Sequence, residues 1–280
     1  MLYVPPYSLL PLADNFGATY TDAGLGTAGN NSGVANTKGT TTTLIAASSV
    51  TRDVAGIGIT FNGGSVATGT RRYFADIMVD SRGGTSWDVK IPNLFVNNPS
   101  LVLGGYQYYF PLYIKAGSSV GFRYQGINAN TLRCSVQLFA MPDHPESIKV
   151  GTFVEAFGVD TSTTSGTAIT PGTSLMGAYT QMGTSTRKLW WWQWGGVGYN
   201  EGVFVVGAML GDIGIGTASD QRLCMKHCLQ RYNGNEEAGK CMMGINIPYL
   251  DGPNNSAVWV RAACVGTPET TPTTTAYGMG

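Results

Sequence analysis

The chain has 280 residues, only 12% of them charged, with a formal net charge of zero and 39 glycines. Phosphate-rich partners require clustered Lys and Arg, and the nearest basic patches, Arg71-Arg72 and Arg187-Lys188, are too small, which argues against nucleic acid as the main ligand. No run approaches the roughly 20 apolar residues of a membrane-spanning helix, and Met1-Leu2-Tyr3-Val4-Pro5-Pro6 lacks the basic start of a secretory leader.

With no leader expected, the five cysteines read as free buried thiols. So little charge leaves weak repulsion between copies, which predicts a surface largely covered by partners.

In chain order, residues 1–15 read as an extended, apolar, proline-rich arm that needs another surface to cover it, either its own domain or a neighbouring subunit. Gly17 to Gly39 is polar loop or short edge strand. Strands are predicted at Thr41–Ala47, Ala55–Phe61 and Arg72–Val79, the last alternating Tyr73, Ala75, Ile77 and Val79 against Phe74, Asp76 and Met78. Asn62-Gly63-Gly64 and Arg82-Gly83-Gly84 punctuate them as turns. Trp87–Phe95 and Leu101–Leu103 lead into Tyr108–Tyr124, which reads as an aromatic strand, a tight turn at Ala116-Gly117-Ser118 and an outgoing strand. Leu132–Met141 closes a first domain, 16–141.

Pro142 and Pro145 mark a stiff linker over 142–149. A second domain, 150–266, replays the pattern with a strand at Gly151–Phe157, a Thr/Ser/Gly loop at Asp160–Gly172 and an aromatic strand at Leu189–Trp194. Gly202–Leu210 matches Arg72–Val79. Ile245–Gly252 followed by Ala257–Arg261 echoes the Tyr108–Tyr124 hairpin, with a Pro, an aromatic, a turn Gly and an Arg on the outgoing strand. Residues 218–240 form an insertion in which Arg222–Gln230 reads as a short helix. The tail, 267–280, is Thr/Pro/Gly-rich and reads as an extended or disordered arm. The expected fold is all-β: two tandem, jelly-roll-like β-sandwich domains with a short helical insertion in the second.

Motifs for chemistry are weak. Gly24-Leu25-Gly26-Thr27-Ala28-Gly29 matches a dinucleotide-binding string but lacks the helix that must follow it. Gly117-Ser118-Ser119-Val120-Gly121 matches a nucleophile elbow, yet strand-like residues follow and the chain has two histidines. Cys224, His227, Cys228 and Cys241 offer thiols and an imidazole for zinc, though ordinary packing is the favoured reading and no cofactor is expected. Trp190-Trp191-Trp192-Gln193-Trp194 is the most unusual run. In a strand Trp190, Trp192 and Trp194 share one face, suited to a buried core, a subunit interface or a sugar-stacking platform.

The Phe110–Arg123 stretch, with its Lys-Ala-Gly-Ser turn and Arg-bearing strand, resembles a phrase found in β-sandwich structural proteins of tailed-bacteriophage virions. The resemblance covers about 15 residues, and the second half departs from it with Asp251-Gly252-Pro253-Asn254 at the turn. It implies a non-enzymatic virion subunit, a capsid decoration or cement protein or else a component of the neck, tail or a fibre, made in the host cytoplasm and located in the virion. Its partners would be other virion proteins (the major capsid protein or neck and tail components), copies of itself and, in the sugar-binding alternative, a host glycan, with no membrane and no nucleic acid. The interface candidates are Leu2, Tyr3, Val4, Pro5, Pro6, Tyr7, Trp190, Trp192 and Trp194. The alternatives are a carbohydrate- or receptor-binding module using the Trp190–Trp194 row, and a glycan depolymerase.

Overall fold

A computed structural model describes residues 10–15, 26–62, 72–97, 106–126, 131–143, 148–159, 166–173, 175–198, 207–218, 220–233, 236–240, 245–246, 256–264 and 272–280. The first half contributes β1 (Pro11–Asp14), β2 (Thr27–Ala28), β3 (Thr42–Ile45), β4 (Val54–Asn62), β5 (Arg72–Asp80), β6 (Asp88–Asn97), β7 (Tyr106–Phe110), β8 (Ser119–Gly126) and β9 (Arg133–Ala140). The second contributes β10 (Val154–Phe157), β11 (Thr167–Ala168), β12 (Thr180–Thr184), β13 (Trp191–Gly198), β14 (Gly207–Thr217), β15 (Asp220–Asn233), β16 (Glu236–Lys240), β17 (Ile245–Asn246), β18 (Ala257–Cys264) and β19 (Thr273–Met279).

Their pairing repeats. The first half makes sheets ordered β1-β9-β4-β7 and β3-β8-β5-β6, and the second makes β10-β19-β13-β17 and β12-β18-β14-β15-β16. Taken strand for strand, β1 corresponds to β10, β4 to β13, β5 to β14, β8 to β18 and β9 to β19. Within each half most consecutive strands lie in opposite sheets, the wrapping of a jelly roll. The all-β expectation holds, as two jelly-roll sandwiches.

Alternation explains the cores. Along β4, Val54, Ile57, Ile59 and Phe61 point inward, between the two first-half sheets, with Val136 and Leu138 of β9 and Phe122 and Tyr124 of β8. A second cluster fills the other sandwich with Met209, Ile213 and Ile215 of β14, Val258 and Val260 of β18, and Trp192 and Trp194 of β13. The first cluster does not stop at the end of its sandwich. Val154, Trp190, Trp191, Tyr277 and Met279 from the second half join Tyr108 and Phe110 in it.

Three local expectations need correction. Tyr108–Tyr124 is not a hairpin, because β7 pairs with β4 in one sheet and β8 with β5 in the other. The intervening segment crosses between sheets, held where Tyr113 N–H donates to the Gly151 carbonyl at 2.8 Å. Arg222–Gln230 is not helical but lies within the long strand β15. Two register shifts against β14 break its alternation, so that Cys224, Met225 and Cys228 are all buried, a spacing that imitates a helix face.

The tail is not a loose arm. Thr273–Met279 runs between β10 and β13, with Ala276, Tyr277 and Met279 fully buried. Its threonines suit a strand, and this composition is shared with unstructured segments. The arm's last residues, Pro11–Asp14, are a strand on their own sandwich, paired with β9.

Candidate functional site

Strand β13 joins the two halves. Trp192 and Trp194 face the second core, where the Trp194 ring lies against Gly211; a Cβ there would come within 2.8 Å of the indole. Trp194 Nε1 donates to Thr274 Oγ1 at 2.7 Å. Trp191 faces the other way, into the first-half cluster, edge-on to Tyr109 with ring centroids 6.2 Å apart. Between them Gln193, 1% exposed, accepts from the Tyr109 N–H at 3.4 Å. Trp190 is buried beside Trp191, with Lys149 Nζ 4.4 Å from its ring centroid. The indoles at 190, 192 and 194 therefore lie inside this chain, not on a solvent-facing platform. The split falls one residue later than pure alternation from Trp190 predicts.

The seam between the sandwiches is sealed by two tyrosines. Tyr277 Oη donates to the Asn93 carbonyl at 2.8 Å and accepts from the Phe95 N–H at 2.6 Å. Tyr108 Oη donates to the Phe95 carbonyl and lies 3.3 Å from the Gly195 carbonyl. The rings of Tyr108 and Tyr277 meet edge to face, with centroids 5.7 Å apart. Burial pushes the Tyr277 hydroxyl well above its ordinary pKa, so it stays protonated and serves as a hydrogen-bonding group.

Each half also carries a buried acid paired across strands to an arginine. Asp76 on β5 faces Arg123 on β8, with Oδ2 accepting from Nε at 2.8 Å. At the corresponding place Asp212 on β14 faces Arg261 on β18, with Oδ2 accepting from Nε at 3.0 Å. The arginine noted on both outgoing strands is half of this repeated pair. Asp76 has two further partners, Lys38 Nζ at 2.8 Å and the Asn93 N–H at 2.9 Å, whereas Arg261 lies under the Tyr179 ring, 4.7 Å from its centroid.

The catalytic strings are structural. Gly26 has φ +91 and immediately precedes the short strand β2, paired with β9, and no helix follows; Gly24 lies outside the described residues. Gly117 supplies the φ of +75 that the turn before β8 requires, and Ser118 Oγ donates to the Lys115 carbonyl at 2.6 Å. Cys224 and Cys228 sit in the second core, and burial pushes the Cys224 thiol up to about 12. Cys241, the His227 side chain and the interface candidates Leu2, Tyr3, Val4, Pro5, Pro6 and Tyr7 lie outside the described residues. Neither the seam nor the Asp–Arg pairs could be identified from composition. Only the shared arginines hinted at them.

No family model and no curated protein matches the chain. Among solved structures it is similar to PNGF-II in a C2 crystal form, at 9% identity and a TM-score of 0.37 over 97% of this chain and 64% of that one. A P21 form of PNGF-II gives 9%, 0.40, 97% and 65%, so the chain spans just under two thirds of both. A peptide-N(4)-(N-acetyl-β-D-glucosaminyl) asparagine amidase gives 10% and 0.36 over 87% and 89%. These matches correct two expectations, that the chain is a non-enzymatic phage-virion decoration subunit and that it is no enzyme: these three structures are of PNGF-II and an amidase, not of virion proteins. Both are withdrawn, while a likeness this low assigns no reaction in their place.

Proposed function

We propose that this protein self-associates, its copies packing head to tail in the way its own two sandwiches pack. One observation carries the reading. In the second half, the outer face of the β10-β19-β13-β17 sheet is buried against the first half through Trp191, Gln193, Tyr277 and Met279. The corresponding outer face of the β1-β9-β4-β7 sheet is covered at one end, where Phe139 and Tyr109 pack with Ile148, and is half-exposed beyond it. It presents Gly58 and Thr60 of β4 and Gln137 of β9, with Arg133 at its margin.

A heterologous contact of this kind has no self-limiting symmetry and propagates into a ring or a row. Zero net charge and the low charged fraction leave little to keep copies apart.

Light scattering of the purified full chain tests this. The expected result is a mass that is a multiple of the chain mass and falls to one chain in the double variant Thr60→Arg/Gln137→Arg, with circular dichroism unchanged. A single-chain mass for the unaltered protein at every concentration overturns the proposal, as does a double variant that assembles normally.

A further inference from the structure

Asp76 lies on the outer face of the β3-β8-β5-β6 sheet and is 3% exposed. It grips Asn93 through that residue's N–H, and Asn93 occupies a bulge in β6 with φ +51, next to a shift in register against β5. A non-glycine residue keeps a left-handed φ only where its surroundings specify it. The Asn93 carbonyl and the Phe95 N–H then hold the Tyr277 hydroxyl. Three residues of β6 thus link a buried carboxylate to the seam.

We infer that Asp76 is the catch of an acid-released lock. Its ionised carboxylate keeps the Asn93 bulge in the shape that clamps Tyr277, and neutralising it uncouples the two sandwiches while each keeps its fold. The charged groups facing it are Lys38, from the segment before β3, and Arg123 of β8, while β6 contributes the Asn93 backbone. Burial disfavours the charged carboxylate, but Lys38, the Asn93 N–H and Arg123 outweigh burial and hold the group below its ordinary 3.8. A depressed folded-state pKa means the contribution is complete above the ordinary carboxylate range. It is lost as the pH falls through the folded value, so release belongs below that range. The repeat supplies a control, since Asp212 makes the same cross-strand pair beneath Tyr179, on the second sandwich's own outer face.

The test is amide hydrogen exchange on the full chain, corrected for intrinsic rates, in Asp76→Asn, Asp212→Asn and Tyr277→Phe. At neutral pH the Phe95 amide is expected to exchange about tenfold faster in Asp76→Asn and Tyr277→Phe, but not in Asp212→Asn, with β4, β14 and β19 still protected. The unaltered protein reaches the same state on acidification. Equal effects of Asp76→Asn and Asp212→Asn overturn the inference. So does loss of β4 and β14 protection together with Phe95. Should Asp76→Asn fail to fold, acid titration of the unaltered protein decides: seam amides that stay protected until global unfolding also overturn it.

Discussion

At the scale of single residues, the tryptophans of β13 show how one run serves two environments. Trp192 is 1% exposed, stacked on Phe157 with centroids 6.0 Å apart, and its Nε1 has no hydrogen-bond partner among the described residues. Trp192→Ala removes a large buried ring and is expected to cost about 3–5 kcal/mol. Trp192→Phe keeps an aromatic ring and discards an unpaired N–H, so its cost is expected to be markedly smaller. Chemical denaturation of both variants checks the order. A Phe variant as unstable as the Ala variant would show that the indole makes a bond through that nitrogen.

At the scale of elements, β15 is the strand that most resembles something else. Its two register shifts bring Cys224 and Cys228 into the second core, where the thiols pack against apolar neighbours. A thiol pushed to about 12 by burial is protonated at neutral pH and a poor metal ligand. Chelator is therefore expected to leave the melting temperature unchanged. A fall of many degrees would show that metal supports this strand. The tail strand β19 makes the converse point. It pairs along both sides and supplies Tyr277 to the seam, so the chain's last described segment is among its most deeply integrated.

At the scale of the whole molecule, the two sandwiches are joined by more than the segment between them. Ile148 and Val150 pack with Phe139 and Tyr109, and the Gly151 N–H donates to the Pro111 carbonyl at 2.8 Å. Beyond them the shared aromatic cluster and the Tyr277 clamp bridge the halves. A protease site inserted after the exposed Asp143 is expected to yield two fragments that, at neutral pH, co-elute as one complex unless denatured. Fragments that part without denaturant would mean that the seam contributes little to cohesion.

Much was legible in the sequence because its signals are local. Alternation in Arg72–Val79, glycine at the turns and the recurring Pro–aromatic–Gly–Arg pattern mark strands and a duplication, since side-chain period and turn geometry depend on near neighbours. Which strands pair was not legible. The Tyr108–Tyr124 stretch looks like a hairpin because its residues suit one; only the competition of sheets for partners sends β7 and β8 to opposite layers. The same limit hid the site. Asp76 and Arg123 are far apart in the chain and meet through the pairing of β5 with β8, while Asn93 and Tyr277 meet only where one sandwich packs against the other. Burial decided the tryptophans as well. Their number marked the run as an anchor, but the tertiary structure alone determined that the surface it anchors belongs to the same chain.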